Sequence, residues 1–328
     1  KYINENHVEI VNSSSPDLDA AYYMPHHPVI REGHESHALR IVFNGSAPDR
    51  VGVSLNSAMM AGPALQTDLT DVLLRFRSGA VGLTGDISRM FLQIRVNPEQ
   101  RDWIRFLWRE PGSQGPLRVW RFTCLPFGLT ASPFLAIRVV NTLLEQYDPR
   151  FKDEAMHIQS SMYVDDILLT AADAEEAALL QQLVCQIFDK GHFHVSKWMS
   201  NDPYALLQVP AEDIASAATK TLALKNIDIT PDAISSTLGL VWDSLTDTFR
   251  FKGVHEVSQL ASHETMRTLS SRSSKIFDPM GLLSPCIVAA KVMMQHCWKK
   301  QLTWDGSLEG NLLEQWQQWC LESAMISE

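Results

Sequence analysis

The chain has 328 residues, 45% of them hydrophobic and 20% charged, which supplies one large core or two or three smaller ones and excludes a disordered tail. With 28 Lys and Arg against 38 Asp and Glu the net charge is −10, so bulk positive charge is not the means of binding nucleic acid, while a local basic groove remains compatible. Gly and Pro, at 16 each, are near ordinary usage and remove collagen-like and low-complexity classes.

Apolar stretches such as Cys286 to Ala290 fall far short of the roughly 20 residues that cross a bilayer, so no membrane partner is expected. The five Cys have no CxxC pair and no regular spacing, which argues against a disulfide framework and suits a reducing intracellular setting. The chain opens on Lys1-Tyr2-Ile3 with neither an initiator Met nor a signal pattern, and reads as a piece of something longer.

Residues 1–21 are polar, with Ser13-Ser14-Ser15-Pro16, and are expected to be a poorly ordered leading segment. Ala38 to Phe43 is strand-like and stops at Gly45-Ser46-Ala47-Pro48. Thr67 or Asp68 can cap a helix whose Leu69, Val72, Leu73 and Phe76 share one face, with Gly79 closing it. Val81 to Ile87 reads as a buried strand delivering Asp86 at its end, and the run Phe91 to Ile94 reads as a further extended stretch. Trp103 to Leu107 and Leu117 to Phe122 form a hairpin with a mobile tip at Pro111-Gly112 and Gly115-Pro116. Ser132 caps and Pro133 opens a helix running through Leu144.

Ser161 to Val164 and Ile167 to Leu169 are two apolar arms that turn on Asp165-Asp166 and push both acids outward. Asp173 with Glu176 begins the next helix in a capping-box pattern, and Gly191 ends it. Thr237 to Trp242 and Thr248 to Phe251 read as strands, and Thr265 to Ser274 and Pro285 to Lys300 as helices. The order suits an α+β sheet with helices on one face.

Asp86, Asp165 and Asp166 each sit where a strand ends or turns among apolar neighbours. Such acids are costly unless paired, and a divalent cation is the usual answer for three converging carboxylates. Two magnesium ions roughly 4 Å apart can activate a hydroxyl and stabilise the leaving oxygen of an in-line displacement at phosphorus. Read singly, Asp165-Asp166 is equally a polar turn and Asp86 equally a cap.

Thr84 to Phe91, Leu125 to Pro133 and Tyr163-Val164-Asp165-Asp166 together resemble, in order and spacing, the palm motifs of reverse transcriptases. Tyr23 to His27, Leu39 to Ala47, Gly191 to Trp198 and Ser274 to Pro285 extend the resemblance to the Pao/BEL class of long-terminal-repeat retrotransposons, over residues 22 to 320. The resemblance implies a right-hand polymerase fold, with interleaved fingers and palm at 22–242 and a thumb or connection-like tail at 243–328. It implies RNA-directed DNA synthesis on an RNA or DNA template with primer, using deoxynucleoside triphosphates and two Mg²⁺ ions, with Mn²⁺ as a substitute. Cytoplasmic virus-like particles are the implied setting. Ribonuclease H, integrase and protease are expected outside this chain.

Carried over position by position, Asp86 and Asp165 would ligate both metals with Asp166 in support. Phe91 would lie under the sugar and exclude a 2′-hydroxyl. Arg40 would reach the triphosphate with its forked guanidinium. Phe127 and Gly128 would shape the nucleotide pocket, Lys197 would stand near the departing pyrophosphate, and Leu238-Gly239 would match the primer-grip turn.

Two rivals stand against this. An aspartic peptidase needs an Asp-Thr-Gly or Asp-Ser-Gly loop, and the nearest string, Asp243-Ser244-Leu245, lacks the glycine. A non-catalytic nucleic-acid-binding or assembly remnant would bind primer-template without extending it. His26-His27, His34 and His37, and His192 with His194, have no Cys beside them and are expected to be structural. Trp298, Trp304, Trp316 and Trp319 are expected in the core rather than stacked on bases. For Arg101, Arg105, Arg109, Arg118 and Arg121, template contact and a structural role stand level.

Overall fold

A computed structural model of the chain describes residues 2–11, 21–30, 39–109, 115–216, 219–222, 240–251, 257–258, 260–261 and 263–327. Lys1–Thr67, Gly85–Ile167 and Leu180–Ser196 form one compact unit, and Asp68–Thr84, Leu168–Leu179 and Lys197–Glu328 form the other. The leading residues are not featureless, since they supply strand β1 (Val8–Ile10). β2 (His26–Ile30) and β3 (Leu39–Phe43) pair antiparallel, with His26 opposite Phe43 and Val29 opposite Arg40. α1 (Leu55–Ala58) is a single turn opened by a Ser54 capping box.

α2 (Leu69–Phe76) starts at Asp68, whose carboxylate accepts the Thr70 N–H at 2.8 Å, and it buries the expected stripe of Leu69, Val72, Leu73 and Phe76. It ends at Arg77 rather than at Gly79. Gly79 belongs to the turn beyond, where a Cβ would come within 2.5 Å of the Ala171 carbonyl oxygen. β4 (Val81–Ile87) follows, buried along almost all its length. The next apolar run is α3 (Met90–Gln93), one helical turn instead of an extended stretch. Met90, Phe91 and Leu92 are all buried, which a strand alternating between two faces could not achieve against one core.

β5 (Arg105–Trp108) and β6 (Arg118–Phe122) form the expected hairpin; the centre of its tip, 110–114, lies outside the described residues. β1 adds to the free edge of β6, giving the sheet β1-β6-β5. Beneath it Phe43, Phe106 and Phe122 meet with ring centroids 4.8 to 5.3 Å apart. His26 packs against Phe43, Phe106 and Trp108, and burial holds its pKa below the ordinary imidazole value.

α4 (Ser132–Glu145) carries Pro133 in its first turn, but Ser132 is not its cap. The Ser132 hydroxyl is buried and donates to the Pro126 carbonyl at 2.7 Å. After α5 (Lys152–Ser160) come β7 (Met162–Tyr163) and β8 (Asp166–Ala171). α6 (Ala174–Lys190) opens as expected: Asp173 accepts the Glu176 N–H at 2.9 Å, and Glu176 reaches back to the Ala172 N–H at 2.7 Å. With β9 (Val195–Ser200) the four-stranded sheet has the order β7-β8-β4-β9.

β10 (Thr219–Leu222), β11 (Leu240–Asp243) and β12 (Thr248–Phe251) make a separate antiparallel sheet. Trp242 of β11 packs edge-on against Phe76 at 4.9 Å. The tail folds as α7 (Met266–Ser273), α8 (Ser284–Lys299) and α9 (Asn311–Ser323) around Leu269, Met293, Trp316 and Cys320. Trp316 and Trp319 are buried and stacked 5.1 Å apart, whereas Trp298 and Trp304 stand about half exposed, against the expectation of burial for all four. All five cysteines are free, and burial pushes the Cys124 thiol up to about 12. No described helix is long and apolar enough to cross a membrane. Antiparallel sheets mixed with helices are the α+β class read from the sequence.

Candidate functional site

Positions 86 and 165 are brought together by the backbone. The Ile87 N–H donates to the Asp165 carbonyl at 2.8 Å, and the next amide, Ser88, donates to the His194 carbonyl at 2.8 Å. Successive N–H groups of an extended chain point to opposite neighbours, so the end of β4 is stitched on both sides. The Ser88 and Ser196 hydroxyls, 2.7 Å apart, add a side-chain link on the second side.

The hairpin that carries Asp165 turns one residue earlier than the sequence suggested. Tyr163 pairs with Asp166 and Met162 with Ile167, which leaves Val164 and Asp165 as the two turn residues. Val164 takes φ of 57°, a conformation that β-branched side chains avoid, and it is buried. Asp165 is half-buried at the tip. Asp166 is drawn into the strand ladder and is 4% exposed, so it is not pushed outward. Gln66 Oε1 accepts the Val164 N–H at 3.0 Å. No sequence signal marks Gln66, a lone amide ahead of a helix cap.

Among the described residues no three His, Cys, Asp or Glu side chains are grouped to hold a metal ion. What the backbone juxtaposes is Asp86 and Asp165, both partly exposed. Magnesium is commonly held by one or two carboxylates with substrate phosphates completing the shell, so this donor pair fits a hard divalent cation.

A second cluster surrounds Phe127. The Phe91 ring of α3 lies 4.8 Å from the Phe127 ring, and the Arg40 guanidinium carbon of β3 lies 5.4 Å from the same ring. The next residue, Gly128, takes φ of 87°, and its carbonyl accepts the Gly45 N–H at 3.2 Å and Asn56 Nδ2 at 3.0 Å. Asn56 Oδ1 accepts the Thr130 N–H at 2.9 Å. A Cβ on Gly128 would lie 2.1 Å from the Phe43 carbonyl oxygen, and one on Gly45 2.7 Å from the Gly128 carbonyl oxygen. The two glycines thus let the loop and the end of β3 close on each other. Gly45 was expected only to stop the strand before it, and Asn56 had no assigned part.

Lys197 stands on β9, exposed, with φ of 55°, and belongs to the second unit. Leu238 and Gly239 lie outside the described residues. The arginines of the hairpin divide. Arg121 bridges Glu9 and Asp102, both at 2.7 Å, Arg105 pairs with Asp102 at 2.9 Å and Arg101 with Glu9 at 3.4 Å, while Arg109 and Arg118 are exposed. Asp243 closes the β11–β12 turn, pairing with Arg250 at 2.8 Å and accepting the Leu245 N–H at 3.0 Å.

The family described as "Reverse transcriptase (RNA-dependent DNA polymerase)" matches residues 52–197, and that described as "Pao retrotransposon-like RNaseH-like domain" matches residues 265–327. The second description qualifies the expectation that ribonuclease H lies wholly elsewhere, although the described residues there form α7 to α9. No curated protein matches the chain. Among solved structures, a foamy viral protease-reverse transcriptase in complex with dsDNA is similar at TM-score 0.62 and 14% identity, over 100% of this chain and 55% of that one. A foamy viral protease-reverse transcriptase described as "dRH", in complex with ds DNA, gives TM-score 0.61 and 14% identity over 98% of this chain and 46% of that one. A foamy viral protease-reverse transcriptase in complex with an RNA/DNA hybrid gives TM-score 0.60 and 14% identity over 98% and 35%. These likenesses show the fold, and the chain spans about half or less of each solved chain.

Proposed function

We propose that this chain, which belongs to the reverse transcriptases of Pao/BEL-type long-terminal-repeat retrotransposons, extends a primer with deoxynucleotides along an RNA or DNA template. The observation that carries the reading is the hydrogen bond from Ile87 to the Asp165 carbonyl, which fastens the end of β4 to the tip of the next hairpin. Two acids distant in sequence thereby share one end of the sheet.

Asp86 and Asp165 would hold the divalent cations, with Asp166 in support from the strand ladder. Such ions, when bound, activate the primer hydroxyl and neutralise charge on the leaving oxygen. The protein's own work is positioning. Phe91, braced against Phe127, would offer a flat wall to the sugar and exclude a 2′-hydroxyl. Arg40, above the Phe127 ring, offers a forked donor to triphosphate oxygens. Gly128 sets the loop on which Phe127 rides. Lys197 would attend the departing pyrophosphate, and Leu238-Gly239 would grip the primer.

Primer extension on an RNA template, with magnesium and with chelator, tests the proposal. Asp165→Asn is expected to abolish extension while its unfolding curve stays within the wild-type range. Extension at the wild-type rate in that variant overturns the assignment. Wild-type protein that binds primer-template without metal-dependent extension would instead establish the assembly-remnant reading.

A further inference from the structure

We infer that Gln66 is a positioning residue for the acidic turn, and that it acts through the Val164 backbone. Its amide holds the strand that enters Val164: Oε1 accepts the Val164 N–H at 3.0 Å, while Nε2 donates to the Thr67 carbonyl at 3.1 Å and, at a longer 3.5 Å, to the Met162 carbonyl. Val164 is the residue that needs such a grip. It is β-branched, buried and held at φ of 57°, immediately before Asp165. A strained conformation persists only where its surroundings over-determine it.

Gln66 and Val164 border the same cavity of about 250 Å³, together with Asn141 of α4, Gln159 of α5 and Met162. The hydrogen bond from Val164 to Gln66 ties the turn to the segment ahead of α2 at the margin of that cavity. The Ile87–Asp165 bond fixes the far side of the same turn. Gln66 therefore sets the angle at which Asp165 leaves the hairpin, without touching substrate. A methionine at 66 would keep the volume and lose both the acceptor and the donor.

The inference rests on the polymerase reading for its kinetic part, so two readouts are paired in the full chain. The first is amide hydrogen exchange across residues 162–166, which needs no activity. Gln66→Met is expected to speed exchange at Val164 about tenfold, and Gln66→Glu, which keeps the acceptor, to remain within about twofold of wild type. The second is steady-state primer extension, read well below the unfolding midpoint of each variant: Gln66→Met should lower kcat about tenfold with the nucleotide KM within about twofold. In a Val164→Gly background, where the turn carries no strain, the same substitution should cost less than about twofold.

Unchanged exchange at Val164 in Gln66→Met overturns the grip. Equal kinetic losses with and without the Val164→Gly change overturn the positioning role. A wild-type chain that extends no primer defeats the polymerase reading and the kinetic role together, while the exchange result still decides the grip.

Discussion

Gly128→Ala is the substitution for which the structure supplies the most physics. The residue holds φ of 87°, and a Cβ would lie 2.1 Å from the Phe43 carbonyl oxygen, a backbone atom that has no rotamer to escape into. Left-handed backbone costs an L-residue about 1–2 kcal/mol. Relieving the collision moves the loop off β3 and weakens the bonds that the Gly128 carbonyl accepts from Gly45 and Asn56, each worth about 1 kcal/mol. The expected loss is about 2–4 kcal/mol in urea unfolding. Because Phe127 precedes the displaced residue, the KM for deoxynucleotide should rise about fivefold or more, about 1 kcal/mol. Gly45→Ala is the control: its Cβ would lie 2.7 Å from the Gly128 carbonyl oxygen, at the same junction but from a residue outside the positive-φ region, and it should cost about 1–2 kcal/mol. Wild-type stability and KM in Gly128→Ala would refute the reasoning. So would a greater loss in Gly45→Ala, because strain at positive φ would then not be the deciding contribution.

Phe91→Val removes the wall braced on Phe127 and should raise ribonucleotide incorporation about tenfold or more; unchanged sugar discrimination in competition assays counts against the pocket. Arg109→Ala and Arg118→Ala should each lower the slope of log affinity for primer-template against log salt by about one without moving the unfolding midpoint. Arg121→Ala, which breaks pairs to Glu9 and Asp102, should instead cost about 1 kcal/mol of stability and leave the slope alone. Glu264 in the tail is pushed up by burial, but bonds from the Ala261 N–H, the Trp316 indole and the Thr268 hydroxyl, with the Arg272 charge, hold it below the usual carboxylate value. A carboxyl lowered in the folded state stabilises fully above its unfolded pKa, about 4.3, and loses that contribution as pH falls through the folded value. Glu264→Gln should cost about 2–4 kcal/mol at neutral pH and flatten the acid limb of the stability curve; an unchanged limb argues otherwise.

The elements that announced themselves were those whose local chemistry suffices. The stripe of α2, the Asp173–Glu176 start of α6 and the β5–β6 hairpin all follow from periodicity or capping between near neighbours. Misreadings arose where a distant partner overrode local preference. Ser132 gives up its cap to bond Pro126, α3 coils because three adjacent residues seek the same core, and the acidic hairpin turns a residue early on a strained valine. α9 escaped notice, although its Trp316 and Trp319 carry the tail core.

The order of the residues alone determined which acids, aromatics and glycines are available and which lie near which along the chain, because motif spacing and helical or strand periodicity are local properties. Only the tertiary structure decided that the end of β4 meets the tip of the acidic hairpin, that Gly45 faces Gly128, and that Gln66 holds Val164. Those are hydrogen bonds and close approaches between residues separated by 78, 83 and 98 positions, and nothing in a linear string encodes which distant backbone atom will present its lone pair to which amide.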